Sequence, residues 1–182
     1  MKHLFFYLCA LFLCSTLSAQ PDSIVQINSD LRIIHIADSI FMHESLDEDP
    51  VWGRYTSNGI IIIRNGEAIM VDTPTDNHKT RMLVEFIQHE WDVRLSRLII
   101  GHFHADCIGG LEYIQSIGVE SISGNLTIEK CNELNLPIPD RSFSDQMVIH
   151  FHDTEIICLY LGGGHTIDNI IVWLPKEKFL FG

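Results

Sequence analysis

The sequence predicts an α/β fold, and three observations carry that expectation. Between Gly59 and Leu134, short apolar runs of strand length alternate with amphipathic stretches of helix length. At one junction in that alternation, Gly101 to Gly110, lies a polar loop holding two histidines, an aspartate and a cysteine, in the place where α/β proteins put their chemistry. After Arg141 the pattern becomes strand alone. With 182 residues and 46% hydrophobic composition, the chain is long and apolar enough for one domain with a sizeable core.

The N-terminus reads as an export leader. Lys2 is the only charge before Asp22, Leu4 to Leu13 is an apolar run too short to span a bilayer, and Ser15 to Ala19 is a small-residue region. Residues 1–20 are assigned to a signal peptide cleaved near Ser18 to Gln20, and residues 21–182 to a single domain; an uncleaved anchor is the competing reading. The expected location is the periplasm. The net charge of the whole chain is −12, which argues against nucleic acid as a partner. Outside the leader the cysteines are Cys107, Cys131 and Cys158, an odd number with no disulfide-framework spacing.

Leu31 to Ile36 and Ser39 to His43 read as strands joined by a turn at Ala37-Asp38. Glu44 to Asn58 reads as a polar, acidic loop containing Pro50, Trp52 and Gly53. Trp52 is either a mobile cover over a site or a side chain packed back on the domain. Gly59 to Arg64 is a buried strand, Asn65-Gly66 a hairpin turn, and Glu67 to Asp72 the return strand. Asp72, at the strand end, is either a turn aspartate or a partner orienting a metal-binding histidine. Asp76 or Asn77 caps a helix to about Glu90, with Met82, Leu83, Phe86 and Ile87 on its apolar face. Leu95 to Ile100 is the next strand and Ile108 to Ile117 a helix closed by Gly118. Val119 to Ser123 is a strand, and Asn125 caps a helix through about Leu134. Beyond a loop at Pro137 and Pro139, strands are expected at Met147–His152, Glu155–Leu161, Ile170–Leu174 and Phe179–Phe181.

The chemistry-bearing residues are His102, His104 and Asp106, spaced so that an extended chain would point all three the same way. Imidazole and carboxylate suit Zn²⁺, and a catalytic zinc takes three protein ligands and a water. His165, following Gly162-Gly163-Gly164, is the third histidine, on a loop whose glycines permit a sharp turn. A second His-Phe-His, His150 to His152 followed by Asp153, lies in a stretch that alternates as a two-faced strand. No glycine-helix context follows it, so its histidines are assigned to a solvated face. His35, His43, His78 and His89 read as ordinary surface histidines.

His102-Phe-His104-Ala-Asp106 with Gly109-Gly110, then Gly162-Gly163-Gly164-His165-Thr166-x-Asp168-Asn169, resembles the metallo-β-lactamases of subclass B1. Ser57-Asn58-Gly59, Val71-Asp72-Thr73-Pro74 and Asn169-Ile-Ile-Val-Trp173-Leu-Pro175 extend the match over nearly all of the chain after the leader. The resemblance implies an αββα sandwich of two similar halves, with metal at one edge of the sheets. It implies that His102, His104 and His165 hold one zinc, and that Asp106 binds a second and orients the hydroxide that attacks the β-lactam carbonyl. It makes the Glu44–Asn58 loop a flap with Trp52 as its apolar substrate contact, and gives Asp72 a role behind the ligands. The partner is then a β-lactam, with no membrane partner after leader cleavage, and the expected state is a monomer.

The family's second zinc also needs a cysteine and a histidine beyond the Trp173 strand, and no residue up to Gly182 takes those roles. The sequence thus reads as incomplete in its second half, and a polypeptide ending at Gly182 is expected to be impaired. Cys107 follows Asp106 where many relatives of the wider superfamily have a metal-binding histidine. It is read as a buried thiol beside the site or, alternatively, as a sulfur donor to a second metal. The rival functions are a thioesterase or lactonase of the same fold and a non-catalytic zinc-binding fragment.

Overall fold

The computed structural model describes residues 23–51 and 53–182. The leader, 1–20, and Trp52 therefore lie outside the described residues. No helix among the described residues is long and apolar enough to cross a membrane.

Two sheets organise the molecule. The larger begins as an antiparallel meander of β1 (Ile24–Asn28), β2 (Leu31–Ala37), β3 (Ile40–Asp49), β4 (Gly53–Arg64) and β5 (Glu67–Val71). It continues with three parallel strands, β6 (Arg94–Ile100), β7 (Glu120–Gly124) and β8 (Arg141–Phe143). The crossovers carry the helices α1 (Asn77–Trp91), α2 (Ala105–Ile108), α3 (Leu111–Ser116) and α4 (Asn125–Leu134). The smaller sheet is antiparallel, in the order β12 (Phe179–Phe181), β11 (Ile171–Leu174), β10 (Thr154–Leu159), β9 (Gln146–Phe151).

The isoleucine run shows why the layers form. Side chains alternate across a strand, so Ile61 joins one core with Met70, Leu98, Ile100 and the helix residues Leu83 and Ile87. Ile60 and Ile62 join a second core with Ile69, Val71 and Ile99 against Ile149, Ile156 and Val172 of the smaller sheet. A continuous apolar run is what a strand buried on both faces requires. Each such side chain, fully buried, contributes about 1.5–3 kcal/mol. Helices, large sheet and small sheet thus stack as three layers of an α/β sandwich.

Most expected elements form within a residue or two. Asp76 caps α1 by accepting from the Lys79 amide at 2.7 Å, and Asp92 ends the helix in the left-handed region. Asn65 and Gly66 both take positive φ in the β4–β5 turn, as a two-residue hairpin connection demands.

Four expectations are corrected. First, Glu44 to Asn58 is mostly not loop: β3 and β4 pair from Glu44↔Asn58 out to Asp49↔Gly53, a two-stranded ribbon whose base at Glu44 and Ser45 is still paired to β2. Its strands carry no apolar alternation because most of this ribbon has no core face to fill. Second, β1 and β8 were not expected; β1 is a sheet edge with only partial burial, and β8 is three residues long. Third, the helix expected at Ile108–Ile117 starts earlier and is broken in two at Gly109-Gly110. A Cβ on Gly109 would lie 2.1 Å from the Thr75 carbonyl oxygen, and one on Gly110 would lie 2.0 Å from Thr80 Oγ1. The backbone there packs directly on the start of α1. Fourth, His43 is not at the surface. It is 1% exposed and faces Gly59 across the β3–β4 ladder, where a Cβ would sit 2.2 Å from its Nε2.

Candidate metal centre

The site lies where β5, β6 and the β10–β11 loop meet. Strand β5 ends at Val71, and Asp72 directly after it turns the chain sharply with a φ of 63°. The Asp72 carboxylate accepts from the Gly101 amide at 2.6 Å, at the end of β6. A Cβ on Gly101 would come within 2.9 Å of both carboxylate oxygens, so the close approach needs glycine. Asp72 is 5% exposed, and burial pushes its pKa up to about 7 against the Gly101 hydrogen bond and a bond to Cys107.

The chain does not stay extended after Gly101, as the i, i+2, i+4 spacing suggested. It turns through His102 and Phe103, His104 stands at the N-cap of α2, and Asp106 lies in that helix's first turn. The turn still brings the side chains together. Ligand atoms of His102, His104 and His165 all lie within 4.8 Å of one another. His104 Nδ1 and His165 Nε2 are 3.3 Å apart, and the three rings stand edge-on to each other with centroids 4.8–5.2 Å apart.

His102 is the buried member, 8% exposed. Its Nδ1 meets Cys107 Sγ at 3.0 Å, and its buried Nε2 has no hydrogen-bond partner among the described residues. The nearest acid, Asp106 Oδ1, is 3.8 Å from that nitrogen. Burial lowers the His102 pKa, opposed by Asp106 and reinforced by His104 and His165. Nδ1–H donating to Cys107, and the thiol donating on to Asp72, gives the tautomer whose Nε2 lone pair faces the other imidazoles. An orphaned buried nitrogen beside two converging imidazoles fits a cation bound by nitrogen ligands.

The Asp72 carboxylate reaches the Gly101 amide and Cys107 rather than an imidazole, so it lies behind His102 with the thiol between them. Cys107 is 4% exposed, and desolvation followed by the charges of Asp72 and Asp106 pushes its thiol far up. His102, Asp106 and Cys107 also form a compact group with ligand atoms within 4.8 Å of one another. In the metal-free protein, however, Cys107 is a neutral hydrogen-bonding thiol rather than a thiolate.

His165 is exposed on the loop between β10 and β11. Gly162 takes φ +102°, and Asn169 Oδ1 accepts from the amides of Gly164, at 2.8 Å, and Thr166, at 3.3 Å, on either side of the histidine. A 340 Å³ cavity opens here, lined among others by Ser57, Asn58, Asp72, His102, Asp106 and His165. It runs from the metal cluster to the base of the β3–β4 ribbon.

The second His-Phe-His behaves as its alternation implied. Ile149 and Phe151 are buried, while His150 and His152 face solvent; His150 pairs with Glu155 at 3.3 Å, and His152 with Glu67 at 3.0 Å and Asn65 at 3.3 Å. The sequence reading missed His43. Its Nε2 donates to the Asp72 carbonyl at 3.0 Å, directly behind the site, and burial lowers its pKa to about 4. The available signal was the glycine, Gly59, opposite it in the hairpin register.

No family model matches the chain. Individual proteins do. The chain is 38% identical over 182 residues to the metallo-beta-lactamase type 2 of Bacteroides fragilis, covering all of this chain and 72% of that protein. It is 33% identical over 183 residues to the protein of the same name from Pseudomonas aeruginosa, covering 71% of it. Among solved structures, a metallo-beta-lactamase from Pontibacter korlensis superposes with TM-score 0.79 at 28% identity, covering 84% of this chain and 70% of that one. DIM-1 metallo-beta-lactamase exposed to ceftazidime superposes at 0.77 with 30% identity, covering 88% and 71%.

Proposed function

The chain belongs to the metallo-β-lactamase family, and on that premise we propose how its own residues hydrolyse the β-lactam amide. The metal is zinc, held by His102, His104 and His165. The observation that carries this is the orphaned Nε2 of His102 beside the two other converging imidazoles. Bound there, zinc supplies a Lewis acid and brings the pKa of a water down towards 7.

Hydrolysis forms a C–O bond at the β-lactam carbonyl, breaks the C–N bond and delivers a proton to the nitrogen. Asp106 is the catalytic carboxylate. Its side chain is 39% exposed, at the cavity wall beside His102, where it would accept a hydrogen bond from the attacking water. Cys107, whose Sγ meets Nδ1 at 3.0 Å, would hold the His102 ring with its Nε2 turned to the other imidazoles. The β3–β4 ribbon borders the open side of the cavity through Thr56, Ser57 and Asn58. Trp52, which follows Val51 in the sequence, is assigned the apolar contact to substrate.

We further assign residues 1–20 to a leader and 21–182 to the hydrolase domain, acting as a periplasmic monomer that confers β-lactam resistance, carbapenems included. The test is hydrolysis of a carbapenem, followed by loss of the ring chromophore. Turnover should be abolished by a chelator and restored by zinc. Turnover of thioesters or lactones with inert β-lactams would favour the thioesterase or lactonase reading. Tight zinc binding without turnover would favour the binding fragment.

A further inference from the structure

Asp168 is a fully buried carboxylate, 0% exposed, to which nothing above gives a role. It lies three residues beyond His165, inside the loop that carries that histidine. Its Oδ2 accepts from the Phe103 amide at 3.0 Å, and its Oδ1 has no partner among the described residues. Phe103 is the residue between His102 and His104. One carboxylate therefore spans the two chain segments that supply the three imidazoles.

Beside it at this junction runs a backbone bond, from the Ile170 amide to the Gly101 carbonyl at 2.9 Å. That bond fixes the root of the loop at the end of β6. It does not set how far His165 stands from the turn at His102–His104. On its other side the loop is pressed against the end of β7, where a Cβ on Gly124 would meet Ile170 Cγ2 at 3.3 Å.

Burying a carboxylate with one oxygen unpartnered is unfavourable, and an apolar side chain would fill the same volume at lower cost. Costly buried groups of this kind collect where a geometry must be held. We propose that Asp168 is a positioning residue: through the Phe103 amide it sets the separation between His165 and the His102–His104 turn, and so preorganises the three-imidazole cluster for metal. This rests on the three-histidine reading above. The negative charge of Asp168 also favours the protonated form of His102, so bond and charge need separating.

The test is cobalt(II) titration of the full chain after metal removal, read from the visible absorption of the bound ion. Parent, Asp168→Ala, Asp168→Asn and His165→Ala are compared. Asp168→Ala should weaken cobalt binding by about tenfold or more, in the range typical of groups behind metal ligands. Asp168→Asn, whose side-chain oxygen still accepts from Phe103, should stay close to the parent. Rescue by asparagine excludes loss of charge as the cause, and the exchange measurement on the Phe103 amide separates the bond from packing. Parent-like affinity in Asp168→Ala, or a loss in Asp168→Asn equal to that in Asp168→Ala, overturns the proposal. Hydrogen exchange on the unsubstituted chain needs no variant to fold: the Phe103 amide should be as protected as that of Ile170, and exchange at the rate of an open turn would overturn the bond's role. If His165→Ala binds cobalt as the parent does, the three-histidine site itself is wrong and the proposal goes with it.

Discussion

Replacing His43 by glutamine should reshape the acid stability of the metal-free protein in a direction set by two buried groups in contact. His43 donates from Nε2 to the Asp72 carbonyl, while its Nδ1 has no partner among the described residues. Burial depresses its pKa from 6.5 to about 4. The unfolded chain therefore binds a proton that the folded chain refuses, and stability is lost as pH falls below 6.5 towards 4. At about 1.4 kcal/mol per pH unit, the loss is about 3 kcal/mol. Asp72 works the other way. Its pKa is raised from 3.8 to about 7 by burial, so the folded chain holds a proton that the unfolded chain gives up, and stability is lost as pH rises through that window. In the parent the two slopes largely offset. Glutamine removes the titrating ring and keeps a donor for the Asp72 carbonyl. Urea unfolding with a chelator present, from pH 7.5 to 4.5, should then show the variant gaining on the parent by about 3 kcal/mol as pH falls. Taking the difference between the two proteins cancels the titrations they share, including those of the metal-site histidines. A difference between variant and parent that does not change with pH would refute the reasoning.

Other perturbations read different parts of the structure. Gly110→Ala places a methyl group against Thr80 and should cost about 1–3 kcal/mol in urea unfolding, because the start of α3 or of α1 must shift. Glu177→Ala removes one of two carboxylates facing Arg64, whose side chain is only 12% exposed, and leaves Asp153 at 3.5 Å; it should cost about 1–3 kcal/mol by the same measurement. Cys107, Cys131 and Cys158 are buried and free, with thiols pushed up by burial, the latter two to about 11 and about 12. Peptide mapping after alkylation at pH 8 should find these three unmodified in the native protein and modified in urea. Asp76→Ala removes the cap on the Lys79 amide and should cost about 1 kcal/mol in thermal unfolding.

What the sequence made legible follows from where the signal is local. The run Gly59 to Arg64, the Asn65-Gly66 turn and the Asp76 cap act within a few residues, so their elements were readable without a partner. The three-histidine cluster was readable because glycine context, rather than the His-Phe-His triplet, separated His102 and His104 from His150 and His152. The ribbon from Glu44 to Asn58 was hidden because its pairing is a cross-strand register and most of it lacks an apolar face to announce it. His43 was hidden because its burial depends on the absence of a side chain at Gly59, sixteen positions away in the chain. Asp168 was visible only as part of a motif; its bond to Phe103 joins segments that only the fold brings together.

The most direct test of the account is zinc-restored β-lactam hydrolysis after chelation, compared between His102→Ala and His150→Ala. His102 sits buried with its Nε2 turned to two other imidazoles, whereas the side chain of His150 is 77% exposed beside Glu155. The account predicts that His102→Ala loses zinc-restored turnover and that His150→Ala keeps the parent's rate. Unimpaired turnover in His102→Ala, or loss of turnover in His150→Ala, would contradict it.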